Sequence, residues 1–233
     1  KRSRKKNMRI KRFLIFSLFM LLCSNAYAID NDIYITQSGD NLTLSITQDG
    51  GANKVGNSTT VVTITGATSS IDIDQIGDTN IISGKWIAAT TTLDLDMTGD
   101  SNTLALDIDA GSSNTSSAIN TKVQYTGGSN NFNIDIADNA AITTADFDVV
   151  MTGSSNTGTV NLDANGGDTM NVTATGSTNA YTVDQAGSGA KVLTHTHTGS
   201  NATIDIDQTG NNNNTAVITT SSASMTLTIL QQD

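Results

Sequence analysis

The chain has 233 residues and no proline, and after residue 28 its charged side chains are four lysines and 22 aspartates, a net charge of −18. This part of the chain lacks the clustered Lys and Arg that phosphate binding requires, so its composition argues against a nucleic-acid partner. It also lacks cysteine, which excludes disulfide bonds as the means of holding an exported form together.

The N-terminal segment has the pattern of a secretory signal peptide. The first methionine is Met8; a basic lead follows it, then an apolar run over residues 13–22 and the Ala-Tyr-Ala sequence that ends at Ala28. This order predicts cleavage after Ala28, and the apolar run is too short to span a membrane. We therefore divide the chain into residues 1–28, upstream basic residues plus signal peptide, and residues 29–233, a single repeat domain that is expected to be secreted without a membrane anchor. A lipoprotein anchor at Cys23 is the disfavoured alternative, because Leu22 is a poor residue just before such a cysteine.

The rest of the chain alternates short strand-like segments with turn-forming glycines. In the clearest copy, Ile71, Ile73 and Gln75 alternate with aspartates, Gly77 opens a turn, and Asn80 restarts the alternation. Neighbouring turn glycines lie about 11 or about 22–28 residues apart, a spacing typical of solenoids. The predicted turn glycines are Gly39, Gly50, Gly77, Gly99, Gly127, Gly153, Gly176, Gly187, Gly199 and Gly210.

Amide side chains share the inward face with the aliphatic residues, so stacked copies are expected to form hydrogen-bonded ladders. The predicted ladder residues are Gln37, Gln48, Gln75, Gln185, Gln208, Asn53, Asn80, Asn102, Asn130, Asn156, Asn179 and Asn213. The two turns at Gly39 and Gly199 read as one residue shorter, and the apolar set slips by one position after each. We interpret this slip as turn length controlling which residues face inward.

In chain order, we predict strands at residues 33–37, 42–48, 61–65, 71–75, 82–87, 93–97, 104–108, 123–125, 132–136, 147–151, 160–162, 170–174, 181–185, 192–197, 202–208, 215–219 and 225–230. No segment has the 3.6-residue period of a helix. The predicted fold is all-β, a β-solenoid of stacked strand–turn–strand arches in two sheets. We expect neighbouring segments, such as 93–97 and 104–108, to pair across their turn, and the loops 110–118, 138–145 and 165–168 are candidates for disorder.

These motifs resemble the curlin repeat of curli amyloid subunits. Residues 45–53 and 71–80 match the first arm and turn of that repeat, and residues 179–185 match its second arm with the closing Gln. The resemblance implies secretion by a Gram-negative type of export, a β-solenoid monomer, and templated end-to-end growth into fibres on the cell surface. It also implies a nucleator subunit and an outer-membrane exporter as partners. The slot before the turn glycine departs from Gln at Met97, Tyr125, Met151, Ala174 and His197.

The ionisable side chains are assigned structural roles. His195 and His197 share an inward face, and no further metal ligand is evident near them in the sequence, so we favour packed neutral histidines, which predicts acid sensitivity. The pairs Asp72/Asp74, Asp94/Asp96, Asp107/Asp109 and Asp205/Asp207 are expected to face solvent. A Ca²⁺ ladder on this face is the disfavoured alternative, because the calcium-binding Gly-Gly-x-Gly-x-Asp nonapeptide is missing. An aspartate pointing inward would contradict this arrangement.

The sequence contains no Gly-x-Ser-x-Gly elbow and no carboxylate pair placed in a pocket, so we expect no catalytic residue and no cofactor. The favoured function is a secreted structural protein that polymerises end to end, because Leu227, Ile229 and Leu230 leave an uncapped edge strand. The alternatives are a monomeric binding solenoid and a minor nucleating or virion-surface component. The binding solenoid would be an ice-binding protein or an adhesin stalk, suggested by the pairs Thr173/Thr175, Thr194/Thr196 and Thr226/Thr228.

Overall fold

The structure is a computed structural model that describes residues 31–57, 59, 61–108, 118–136, 144–210 and 213–232. The predicted signal peptide and its cleavage site at Ala28 lie outside the described residues. Within them there are eleven strands and no helix: β1 (Asn31–Ile33), β2 (Thr36–Ser38), β3 (Leu42–Asp49), β4 (Ala52–Val55), β5 (Val62–Ile76), β6 (Thr79–Ile108), β7 (Ala118–Ile136), β8 (Thr144–Asp163), β9 (Gly167–Ala186), β10 (Lys191–Thr209) and β11 (Thr215–Gln232).

The strand pairings recorded between these elements are all parallel and join equivalent segments of successive rungs. The result is a β-solenoid of about eight stacked rungs, which confirms the all-β solenoid prediction at this level. The expected pairing of 93–97 with 104–108 across their turn is wrong. Leu93 pairs instead with Ile71 and Thr121, because the backbone hydrogen bonds run along the stack.

Each rung before the last bends at a glycine, the last rung has Ser222 beside Gly199, and β7 shows the plan. Its leading arm (118–126) meets a glycine corner (127–129), and its trailing arm (130–136) follows. Gly127 stacks between Gly99 and Gly153 in the neighbouring rungs. A Cβ on Gly127 would overlap the carbonyl oxygen of Gly99, so only glycine allows the rungs to approach at this corner.

The predicted turn glycines divide between two corners of the solenoid. The glycine corner holds Gly50, Gly77, Gly99, Gly127, Gly153, Gly176 and Gly199, each against the carbonyl oxygen of the glycine one rung earlier, except for Gly50 at the start of the stack. The remaining three, Gly39, Gly187 and Gly210, lie at the opposite corner, where one rung passes to the next. Gly39 stacks there against Gly66, a turn glycine that the repeat pattern missed.

The interpretation of two shortened turns is also wrong. Gly199 pairs with Gly176 and Ala202 pairs with Asn179, so the turns at Gly176 and Gly199 contain the same number of residues. Likewise, Ser38 pairs with Thr65 and Leu42 pairs with Ser69, so the turn at Gly39 is as long as the turn at Gly66. The inward position that Asn179 occupies in one rung is occupied by Ala202 in the next rung. Asn201 is exposed and pairs with Thr178. The inward set after this turn is nevertheless the expected one, since Ala202, Ile204, Ile206 and Gln208 are buried.

The core lies between the leading and trailing arms and is organised in columns, a column being the residues at one position in successive rungs. One leading-arm column runs Ile46, Ile73, Leu95, Val123, Val149, Val172, His195 and Ile218. Contacts cross the interior: the rings of Tyr125 and Phe132, from the two arms of β7, stack with centroids 6.2 Å apart. The strand alternation therefore gives each arm one aliphatic face, and residues from both arms meet in the core.

Candidate functional site: amide ladders and open ends

An asparagine ladder runs through the first residue of the trailing arms. In each step, Nδ2 donates a hydrogen bond to Oδ1 of the next asparagine toward the C-terminus, at 2.5–3.0 Å. The same Nδ2 of Asn80 also donates to the carbonyl oxygen of Thr98 in the next rung. Buried amides are thereby satisfied, and the corner is held to its neighbours. The ladder contains Asn31, Asn53, Asn80, Asn102, Asn130, Asn156 and Asn179.

The predicted glutamines belong to two different columns. Gln75 Nε2 donates to Gln48 Oε1 at 2.7 Å at the end of the leading arms. This column then continues through Met97, Tyr125, Met151, Ala174 and His197, which accounts for the departures from the repeat pattern. Gln208 Nε2 donates to Gln185 Oε1 at 2.8 Å at the end of the trailing arms, and Gln37 lies exposed at the far end of that second column.

Two predicted ladder residues are exposed, Gln37 at the far end of its column and Asn213 at the opposite corner, and two ladder residues were missed. Asn213 is exposed and follows Gly210 at the opposite corner. Its Gly-x-x-Asn pattern therefore belongs to a different turn from the one that holds the asparagine ladder. Asn31 begins the asparagine ladder, and Gln231 Nε2 donates to Gln208 Oε1 at 2.7 Å. The repeat period could have found both, because they lie 22 residues before Asn53 and 23 residues after Gln208.

A buried polar cluster ends the asparagine ladder. Asn179 Nδ2 lies 3.2 Å from His197 Nδ1, and the Tyr181 hydroxyl lies 3.1 Å from His195 Nε2. Both histidines are fully buried, and burial lowers the pKa of each, to about 4 for His195. Burial likewise raises the pKa of Tyr181. The neutral imidazoles therefore act as packed hydrogen-bonding groups within the core.

A buried ion pair was not anticipated by the sequence reasoning. Lys191 Nζ contacts the Asp168 carboxylate and donates to the carbonyl oxygens of Ala164 and Gly166, and both charged side chains are fully buried. They occupy the column that holds Ile119 in an earlier rung. Desolvation raises the pKa of Asp168, and the hydrogen bond from Lys191 opposes that shift.

Asp168 thus corrects two expectations, that the aspartates all face solvent and that residues 165–168 form a disordered loop. Ala118 and Ala145, at the ends of the other two predicted loops, also lie in strands, whereas residues 110–117 and 138–143 lie outside the described part. The four hydrogen-bonding contacts explain how a charged pair is tolerated in a buried column, since each contact replaces lost water.

The predicted aspartate pairs otherwise lie on the outer face, except Asp109, which is outside the described residues. Lys122 forms ion pairs with Asp94 at 2.9 Å and Asp96 at 3.8 Å. Burial raises the pKa of Asp96, with Lys122 opposing the shift, and the hydrogen bond to Asp94 raises the pKa of Lys122. Among the residues that the structure describes, no group of three or more His, Cys, Asp or Glu side chains converges to hold a metal ion.

Within the part of the chain that the structure describes, both ends of the solenoid are open. Leu227 and Ile229 continue the columns of Ile204 and Ile206, but they are 36% and 43% exposed where the earlier residues are 1% and 0% exposed. Among the described strands, β11 pairs with β10 alone, so one edge of its backbone is available to pair. The other end presents β1, β2 and β3, whose apolar residues Ile33, Ile35, Leu42 and Leu44 are half-buried.

A threonine column follows the outside of the glycine corner. Thr98, Thr126, Thr152, Thr175 and Thr198 stack in consecutive rungs and are all exposed. Four of them, Thr126, Thr152, Thr175 and Thr198, line an open groove of about 680 Å³ together with corner glycines and serines. The predicted Thr-x-Thr pairs do not form one array, since Thr173 stacks on Thr196 whereas the pair at 226 and 228 lies on the trailing arm.

Comparisons with known proteins return no relative: no family model, no curated protein and no solved structure matches this chain. The described residues include no helix capable of crossing a bilayer. We therefore infer the function of the protein from the solenoid itself, namely from its amide ladders, its outer face and its two open ends.

Proposed function

We propose that this protein is a secreted structural protein that self-assembles into extracellular, curli-like functional-amyloid fibres for adhesion or a biofilm matrix. In this proposal the leading and trailing arms form two facing sheets, as the curlin resemblance implies. Contacts between the arms support it: Gln75 Nε2, on a leading arm, donates to the carbonyl oxygen of Ile81 on the following trailing arm, at 3.2 Å.

The observation that carries the proposal is the exposure of inward-facing apolar residues on the C-terminal rung, which no described residue covers. Solenoids that remain monomeric need terminal caps with a polar outer face, because an open last rung leaves apolar columns and strand edges in water. Here Leu227 and Ile229 remain in the column positions that the preceding rungs bury. A further rung from another chain would bury them and pair the free edge of β11.

The outer face accounts for solubility before assembly. A net charge of −18 after residue 28 opposes association over long distances, and that repulsion weakens as salt screens it. We therefore expect assembly to accelerate between about 10 mM and 150 mM NaCl, where the Debye length falls from about 30 Å to about 8 Å.

The test is incubation of the purified protein with thioflavin fluorescence, electron microscopy and fibre diffraction. The expected product is fibres with the roughly 4.8 Å repeat of strands stacked along the axis. The variant Ile229→Asp places a charge in the exposed core column and should abolish growth, whereas the matched variant Thr228→Asp, on the outer face of the same strand, should leave it nearly unchanged. Monomers that persist for days at every salt concentration and pH would refute the proposal.

A second candidate is a monomeric solenoid that binds a surface such as ice through the threonine column. The supporting observation is its regularity, since five exposed threonines repeat at the strand spacing of about 4.8 Å. Thermal hysteresis measured on the monomer tests this candidate. Activity that is lost in Thr152→Lys and retained in Thr159→Lys, which alters the other arm of the same rung, would favour binding over assembly.

A further inference from the structure

We propose that the C-terminal rung of one copy docks on the N-terminal rung of the next in the same register that joins rungs within the chain. This inference rests on the proposed self-assembly and adds its polarity and alignment. Residues 214–220 of one copy would lie under residues 42–48 of the next, and residues 225–231 under residues 31–37. The fibre would then be one continuous solenoid with a defined direction.

The apolar columns match across such a junction. Following the internal register through all rungs brings Ile46 onto the column of Ile218 and Leu44 onto that of Ala216. On the trailing arms, Ile33 falls on the column of Leu227. A shift by one residue would instead place outward residues of β11, such as Thr215, Val217 and Thr219, over these inward side chains, because strand side chains alternate between faces.

The glutamine ladder supplies a directional contact at the same junction. Gln231 Nε2 donates to Gln208 Oε1 at 2.7 Å, and Gln231 Oε1 has no donor among the described residues. Gln37 begins this column at the other end of the chain and is exposed. A following copy therefore presents Gln37 Nε2 to the free Oε1 of Gln231, which repeats the internal ladder step.

The charges of the two ends agree with this polarity. β11 contains no charged residue, whereas the N-terminal rung presents Asp32, Asp40 and Asp49. Docking a C-terminal end on an N-terminal end thus brings Asp32 against Thr226 and Asp49 against Ser221, both of them uncharged. Docking two N-terminal ends would bring like charges together at a strand separation of about 5 Å, which is repulsive.

Disulfide trapping tests the register. In a Cys23→Ser background, which removes the one native cysteine, four exposed outward positions are available: Thr43 and Thr47 at one end, Thr215 and Thr219 at the other. The register places Thr47 over Thr219 and Thr43 over Thr215, at about the 4.8 Å strand spacing, which a disulfide can bridge. The exchanged pairs, Thr47 with Thr215 and Thr43 with Thr219, are separated by about 13 Å along the strand.

Fibres of T47C/T219C and of T43C/T215C, mildly oxidised and run on a non-reducing gel, should give a ladder of covalent oligomers. The exchanged pairs T47C/T215C and T43C/T219C should give at least about tenfold less, because their Cα atoms exceed the distance a disulfide spans. The register is overturned if fibres of both matched pairs give no covalent oligomers, or if matched and exchanged pairs give equal amounts of them. Either result leaves the proposal of self-assembly intact. Unsubstituted protein that forms no fibres overturns both.

Discussion

Acidification should destabilise the C-terminal rungs through His195. Burial lowers its pKa from the ordinary 6.5 to about 4, so the folded protein binds this proton less readily than the unfolded chain. The contribution of neutral His195 to the free energy of unfolding is complete above pH 6.5, and it is lost as the pH falls from 6.5 toward 4. Linkage gives a loss of about 2 kcal/mol between pH 7 and pH 5, and about 3 kcal/mol by pH 4. His197, whose pKa is also lowered by burial, adds to the loss in the same direction.

The matched variant is His195→Val combined with Tyr181→Phe. Valine suits the column, which holds Val149 and Val172 in the two preceding rungs. Phenylalanine removes the hydroxyl that would otherwise lose its partner, since the Tyr181 oxygen lies 3.1 Å from His195 Nε2. Urea unfolding of monomeric protein at pH 7 and pH 5 gives the free energy of unfolding, and amide hydrogen exchange locates the change in β9–β11.

The double variant should lose about 2 kcal/mol less stability than the unsubstituted protein between these two pH values. A control variant at the neighbouring exposed position, Thr194→Val, should keep the full pH dependence. If the double variant and the unsubstituted protein lose stability equally, the acid response arises elsewhere and the buried neutral assignment of His195 is wrong.

Three further changes test the stacking. Gly127→Ala should destabilise by about 1–3 kcal/mol or more in urea unfolding, because its Cβ would overlap Gly99, whereas Gly167→Ala has open space and should change stability by less than about 0.5 kcal/mol. Lys191→Met should cost about 3–5 kcal/mol by leaving a buried carboxylate without its cation, and unfolding midpoints equal to the unsubstituted protein would contradict the buried pair. Asn102→Ala should lower the free energy of unfolding by about 1–3 kcal/mol, because Asn80 and Asn130 each lose a buried hydrogen-bond partner. Amide hydrogen exchange should increase most in the adjoining rungs, and a uniform increase would argue against a ladder.

Part of the candidate site could be predicted because it depends on local alternation. Gln75 falls on the inward face by counting in twos from Ile73, and Asn80 by counting back two from Ile82 on the next arm; the ladder steps to Gln48 and Asn102 follow from the repeat period. The uncapped end was predicted in the same way, since Ile229 keeps the phase of the inward column to the end of the chain. Its role as an assembly surface stays a prediction.

Other assignments failed because the same short sequence pattern occurs at different corners of the solenoid. Gly210 and Asn213 repeat the Gly-x-x-Asn pattern of Gly77 and Asn80, but they lie at the opposite corner, where no ladder passes. The slip after Gly199 was attributed to a shorter turn, although the register keeps the turn length and changes the occupant of the inward slot. Only the alignment of rungs distinguishes these cases.

The sequence by itself determined the strand period, the absence of helical periodicity, the glycine spacing and the inward identity of most aliphatic and amide residues. These features are local, because they depend on which side of a strand each side chain takes. The tertiary structure alone decided which residues share a column, and hence that glutamines divide between two ladders and that Asp168 meets Lys191 in the core. Those partners lie 23 residues apart, and parallel stacking brings them together only once the lengths of the intervening corners are fixed.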